Sequence, residues 1–133
     1  PLTEKAALHF LLGRLLHQAG QLDQSIHQLS EATKLMPNHL EAALELGSTY
    51  QERRQSHLAL EAYQKAISIA PGDPRAYLLA AQAYKANRDY PAAENMLRRA
   101  AELSPEDIAI HRQLAGLVAL NLVHNRRITT NEG

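Results

Sequence analysis

Several residue types that would support particular chemistries are missing from this chain of 133 residues. It has no cysteine, which excludes disulfides, thiol catalysis and cysteine-ligated metal sites but leaves the cellular compartment undetermined. No apolar run approaches the roughly 18 residues of a membrane span. The 14 basic and 14 acidic residues cancel, so the strongly basic face typical of nucleic-acid-binding proteins is absent. The chain is therefore expected neither to bind nucleic acid nor to insert into a membrane.

The patterns that would indicate catalysis, a metal or a cofactor are also missing. There are seven histidines, but none forms the i, i+4 pair of a helical metal site. His9 and His17 are too far apart on one predicted helix to share an ion. Gly72 stands alone in a turn, so there is no glycine-rich phosphate loop. Ser56 and His57 lack a third group that would complete a nucleophilic set. The sequence predicts no enzyme activity, no metal and no cofactor.

What the chain does contain is an internal repeat. Pro37, Pro71 and Pro105 stand 34 residues apart, and each closes a similar segment. A fixed period of this length predicts a solenoid, in which each unit buries its apolar face only against its neighbours. Three further positions keep the same period, holding in turn an alanine, a large apolar side chain and a small residue: Ala32, Ala66 and Ala100; Leu29, Tyr63 and Leu97; Gly13, Gly47 and Ala81.

The repeat resembles the tetratricopeptide repeat, a helix-turn-helix unit with the pattern W-x2-L-G-x2-Y, then A-x3-F, then P. The pattern's tryptophan is missing, and its place is held by His9, Ala43 and Tyr77. The other positions stay in phase over three periods. The second unit matches best, with Leu46, Gly47, Tyr50, Ala59, Tyr63, Ala66 and Pro71.

The resemblance implies an all-α fold, a right-handed α-solenoid of three repeats with one extra C-terminal helix. The predicted frames are 6–39, 40–73 and 74–107, followed by a half repeat or capping helix at 108–124. Together they are expected to form a single domain over residues 1–125, with a disordered tail at 126–133. Because Pro1 is not a natural start, the sequence is also expected to be a piece of a longer chain.

Local signals place the helices within each unit. In the first helix, the leucines at positions 8, 11, 12, 15 and 16 have the spacing of one wide apolar stripe. Asp23 is the predicted N-cap of the second helix. Asp73 and Pro74 are the predicted cap and first residue of the fifth helix. The turn that begins at Arg54 lacks the glycine of the first unit, so it is expected to be tighter or more strained.

By the resemblance, the first helix of each repeat lines a concave groove that holds a peptide or helix of a partner protein. Phe10, Leu44 and Leu78 share one place in successive units and are expected to form a solvent-exposed apolar line there. The groove is expected to be acidic in its middle and basic toward its C-terminal side. The predicted partner-binding residues are Phe10, Arg14, Leu44, Ser48, Leu78, Leu79, Gln82 and Arg112.

Two other interpretations stay open from the sequence alone. In the first, the groove leucines only pack between adjacent helices, and the charged side chains are solvated. Alternatively, the chain would be a structural segment or the docking arm of a larger, even enzymatic, protein. In that case it would self-associate or pack through Leu117 and Leu120 of the apolar last helix. Two specialised types of groove are disfavoured, because Glu45 would repel the carboxylate of a chaperone tail and the asparagine ladder of the sugar-nucleotide glycosyltransferases is absent.

Overall fold

The computed structural model describes residues 1–132, and over those residues it consists of seven helices without any strand. The predicted all-α solenoid is confirmed. The connections contain three or four residues each, so consecutive helices within a unit pack side by side. The helices are α1 (Leu2–Gln18), α2 (Leu22–Leu35), α3 (Leu40–Glu52), α4 (Ser56–Ile69), α5 (Pro74–Ala86), α6 (Tyr90–Leu103) and α7 (Ile108–Glu132).

The chain divides into two compact units, Pro1–Pro71 and Gly72–Gly133, here called unit 1 and unit 2. In unit 1, α1 packs on α2, α2 on α3 and α3 on α4. In unit 2, α6 packs between α5 and α7. The frames of the individual repeats and a single domain over 1–125 stay predictions.

The turns inside the helix pairs repeat one backbone conformation. Gly20, Arg54 and Arg88 stand 34 residues apart, and all three have positive φ, at 79°, 63° and 61°. Glycine adopts this left-handed conformation without steric cost, whereas arginine does so with strain. The expected strain in the turn that begins at Arg54 is therefore present.

Side-chain caps fix some helix starts and not others. Asp73 accepts a hydrogen bond from the backbone N–H of Arg75 at 3.0 Å, and Pro74 is the first helical residue, as predicted. The prediction for Asp23 is wrong, because α2 begins at Leu22 with Gln21 at the cap position and no side-chain cap. The Asp23 carboxylate instead accepts a hydrogen bond from Arg53 Nε at 2.6 Å.

The two helices of each repeat meet at a small residue. A Cβ added at Gly13 would lie 2.7 Å from Leu29 Cγ. The backbone of α1 is therefore in direct contact with the Leu29 side chain of α2. Ser25 reinforces this contact, since its buried hydroxyl donates to the Gly13 carbonyl at 2.6 Å. The contact between α3 and α4 is closer still, since a Cβ added at Gly47 would lie 2.3 Å from Tyr63 Cε1. The small residue of the period is thus required by the packing distance.

The leucine stripe of α1 lies on the outside of the protein. The residues that α1 buries are Ala6 and Gly13, because the close approach of α2 leaves no room for larger side chains. Leu16 is only half-buried. The structure thus shows that a helical apolar period does not by itself mark the interior face. The exposed leucines of this helix are Leu2, Leu8, Leu11, Leu12 and Leu15.

The last helix is longer than the sequence pattern predicts. It continues to Glu132, whereas residues 126–133 were expected to form a disordered tail. Neither proline nor glycine occurs between Asn125 and Glu132, and a helix propagates at little cost where nothing interrupts its hydrogen bonds. The Thr130 hydroxyl also donates to the Arg126 carbonyl. Gly133 lies outside the described residues.

Candidate functional site

The predicted partner-binding residues of unit 1 begin with Phe10 and Arg14 on α1. The Phe10 ring is half-buried, and its centroid lies 4.8 Å from that of the His39 ring. The exposed Arg14 guanidinium lies 5.9 Å from the Phe10 centroid, a cation–π distance. Phe10 therefore contacts His39 and Arg14, and a partner would meet the ring only in part.

Leu44 does not belong to an exposed apolar line, and the expectation of such a line is wrong at this place. Only 6% of the residue is exposed, because α3 packs against α1, α2 and α4. Its neighbour Ser48 is half-buried and hydrogen-bonds to the side chain of Tyr63. Burial raises the pKa of Tyr63, and the bond to Ser48 offsets part of that rise. Both residues thus contribute to the packing of unit 1.

A histidine bridge joins α1 to α3 next to these residues. His17 Nδ1 lies 2.8 Å from Glu45 Oε1, and His17 Nε2 lies 2.9 Å from Glu52 Oε1. A neutral imidazole has one N–H donor, so only the protonated ring donates to both carboxylates. Burial opposes the charged form, but the hydrogen bonds and charges of Glu52 and Glu45 outweigh it and raise the pKa of His17 above 6.5.

This bridge predicts that the stability of unit 1 depends on pH. Because the pKa of His17 is higher in the folded than in the unfolded chain, protonation stabilises unit 1. The stabilisation is complete below the unfolded value of 6.5 and disappears as the pH rises through the folded pKa. In an NMR titration, the His17 ring should titrate above 6.5 in the parent and at lower pH when Glu45→Gln and Glu52→Gln are combined.

The control is the variant Glu31→Gln, which removes an exposed carboxylate that pairs with Lys34 and leaves the two glutamates of the bridge in place. It should leave the His17 titration where it is in the parent. Should the double variant also leave the titration unmoved, the two carboxylates would not be holding the proton.

In unit 2 the predicted residues fall into two groups. Leu78 and Leu79 of α5 are half-buried, and Leu78 packs against the core cluster. Gln82 of α5 and Arg112 of α7 are exposed. The structure therefore leaves two polar side chains of unit 2 free to meet a partner, with the two leucines partly covered beside them.

A cleft of about 460 Å³ opens between α5 and α7 of unit 2. Its floor comes from side chains that are themselves buried, Ala81, Leu97 and Leu117. The remaining lining residues are Gln82, Lys85, Gln113, Gly116 and Leu120. The cleft thus has an apolar base, three polar side chains and a glycine in its wall. Of its lining, sequence reasoning selected Gln82 as a binding residue.

The same sequence positions in unit 1 carry the histidine bridge. Two periods before Lys85, Gln113 and Leu120 stand His17, Glu45 and Glu52. Nothing in the sequence pattern showed which of these six side chains would meet. Pairing depends on the distance between two helices that are distant in sequence. In unit 1 the gap is spanned by an ion pair, whereas in unit 2 it is an open cleft.

The residues predicted for self-association do not form an exposed pair. Leu117 is only 3% exposed and belongs to the core cluster with Ala81, Ala93 and Leu97. Leu120 is half-buried in the wall of the cleft. The prediction of an interface at Leu117 is therefore wrong, since that side chain is used by α7 to pack on α6. The large apolar residues that α7 exposes are Ile108, Leu122, Val123 and Ile128.

The described residues form neither a metal site nor a membrane-spanning helix. Among the side chains that the structure describes, no three of His, Asp or Glu converge to hold a metal ion. None of the helices described is long and apolar enough to cross a membrane.

Comparison with known proteins decides the family. Two models of the tetratricopeptide repeat match the chain, one over residues 4–74 and one over residues 50–117. This chain belongs to the tetratricopeptide repeat family. Repeats of this family generally serve as non-catalytic protein-interaction modules. A comparison with curated proteins finds no matching sequence.

Solved structures with the same fold include three informative neighbours. MamA residues 41-end from Desulfovibrio magneticus RS-1 is 26% identical, with a TM-score of 0.78, covering 96% of this chain and 70% of that one. The first tetratricopeptide domain of Spaghetti (RPAP3), bound to the HSP90 peptide SRMEEVD, is 18% identical, with a TM-score of 0.82 and coverages of 90% and 94%. The Yersinia enterocolitica type III secretion chaperone SycD, in complex with a YopD peptide, is 19% identical, with a TM-score of 0.80 and coverages of 86% and 93%.

Proposed function

We propose that this tetratricopeptide repeat chain is a protein-interaction scaffold that binds a peptide or helix of a partner protein. In each unit the binding surface is the face of the first helices, here called the first-helix face: α1 and α3 in unit 1, and α5 and α7 in unit 2. The observation that carries the proposal is the cleft between α5 and α7, which combines a buried apolar floor with polar side chains above it. Small sites of this composition are the usual form of a ligand pocket.

Two structural neighbours support the proposal of peptide binding, since SycD and the RPAP3 domain were both solved with a peptide. Within the proposed surface, Arg14, Gln82 and Arg112 would contact the partner directly because they are exposed. Phe10, Leu78 and Leu79 would add partly covered apolar surface. Leu44 and Ser48 would act by holding α3 in place, since neither is freely exposed.

A second candidate function is self-association through apolar helix surfaces. It is favoured by the leucines that α1 exposes and by Leu122 and Val123 on α7, which line a separate apolar surface together with Ala119. Exposed apolar patches of this kind commonly mark protein contacts. This candidate would use those exposed residues rather than Leu117, which is buried in the core cluster.

One set of variants separates the two functions. Peptides are enriched on the parent chain from a displayed library of random peptides, and their affinities are measured by fluorescence anisotropy. Combining Arg14→Glu with Arg112→Glu should change affinity by about tenfold or more, because both side chains lie on the proposed surface. The matched control combines Lys65→Glu with Arg98→Glu, exposed on the second helices α4 and α6, and should bind like the parent.

Light scattering over a concentration series completes the test. If the enriched peptides bind the surface variant and the control equally well, the first-helix face is not the binding surface and the proposal fails. If instead the mass of the parent rises with concentration and Leu122→Glu with Val123→Glu abolishes that rise, self-association is the function the chain performs in solution.

A further inference from the structure

We propose that the cleft of unit 2 is a pocket for one aliphatic side chain of an acidic partner segment. The inference rests on the proposed function, since it specifies which chemistry the first-helix face selects. It commits to a peptide that carries carboxylates on both sides of a leucine-like residue, and it places that residue between α5 and α7.

The shape of the cleft is the reason for proposing an aliphatic side chain. The ninth place of the repeat holds Arg14, Ser48 and Gln82 in the first three units, but in α7 it holds Gly116. A Cβ added at Gly116 would meet nothing within 4 Å, so this wall of the cleft is open space. The floor beneath it is apolar and buried. A side chain without polar atoms would cover the floor, and removing both apolar surfaces from water would favour binding.

The charges near the cleft are the reason for proposing an acidic partner segment. Helix α5 contains no Asp or Glu, and in α7 the first acidic residue is Glu132. Lys85 lies in the wall of the cleft and Arg112 stands exposed on α7. Among the described side chains, neither forms an ion pair with a carboxylate. The acids of the intervening helix α6 are engaged elsewhere, with Glu94 on Arg98 at 3.6 Å and Glu102 on Arg99 at 2.9 Å.

Unit 1 shows which groups bind the basic side chain at the position equivalent to Lys85. His17 is the counterpart of Lys85, and it holds the carboxylates of Glu45 and Glu52 at 2.8 and 2.9 Å. Both glutamates belong to α3, the first helix of the next repeat in unit 1. In unit 2 the counterparts are Gln113 and Leu120, so α7 supplies no carboxylate. A carboxylate that completed the same arrangement around Lys85 would therefore come from a partner.

The test uses the intact chain and a designed probe, a fluorescein-labelled peptide in which one leucine is flanked on each side by glutamates. Two companion probes replace the leucine by alanine or all the glutamates by lysines. The parent should bind the first probe about tenfold or more tightly than either companion. Gly116→Leu places a side chain in the cleft and should weaken that binding about tenfold or more, as should Lys85→Glu combined with Arg112→Glu.

The matched control is Ala115→Leu, an exposed position adjacent on α7 that does not line the cleft. It should bind the probe like the parent, and helix content by circular dichroism should be equal in all variants. The inference is overturned if Gly116→Leu and Ala115→Leu bind the probe equally, or if the lysine probe binds as well as the acidic one. Peptides enriched from the random library distinguish the two failures. If they bind the first-helix face but ignore Gly116→Leu, only the pocket is wrong, whereas if none binds that face the proposed function fails as well.

Discussion

Replacing Gly47 by alanine is expected to destabilise the protein by about 1–3 kcal/mol, although alanine is the better helix former. The added Cβ would lie 2.3 Å from Tyr63 Cε1 and 2.6 Å from Tyr63 Cδ1. The Tyr63 ring cannot swing aside, since the residue is 1% exposed and its side chain is hydrogen-bonded to Ser48. Helices α3 and α4 must therefore move apart, and the loss of packing exceeds the gain in helix propensity.

The control for this prediction is the same substitution at Gly116. Its surroundings are open, so alanine there should stabilise the protein by about 0.5–1 kcal/mol through helix propensity alone. Urea unfolding of both variants gives the two free energies of unfolding. If the two changes shifted stability in the same direction, the close contact between α3 and α4 would not exist in solution. The larger change Gly47→Leu overpacks the same contact and should be at least as damaging.

Replacing Leu29 by alanine is expected to lower the free energy of unfolding by about 2–5 kcal/mol. Leu29 is 0% exposed, and its side chain lies directly over Gly13 where α1 and α2 meet. A smaller side chain leaves a cavity, because the backbone of α1 is already in contact and has no side chain at Gly13 that could fill the space.

Leu15→Ala is the matched control, with the same two residue types on the neighbouring helix. Leu15 is 62% exposed, so its removal should change stability by no more than about 0.5 kcal/mol. Equal losses from the two substitutions would contradict the exposed position of Leu15. Measuring both variants at low and high protein concentration shows whether association of the chain covers the leucines of α1.

The sequence by itself determined the repeat, its period and therefore the family. Proline and small residues recur every 34 positions because each repeat must turn at the same point and pack at the same distance. The cap at Asp73 and the strained turn at Arg54 could also be predicted, since both depend on residues that are neighbours along the chain. Local physics of this kind requires no knowledge of how distant segments meet.

Only the tertiary structure decided which faces are covered and which side chains meet. Leucine spacing on α1 looks the same whether the stripe is buried or exposed, and burial depends on the presence of a second helix over it. Leu44 was placed in the groove by its position in the repeat, yet the helices around α3 bury it. His17 meets Glu45 and Glu52 because α1 and α3 lie side by side. The open wall at Gly116 has the same origin, since a missing side chain makes a cleft only where two helices and a floor surround it.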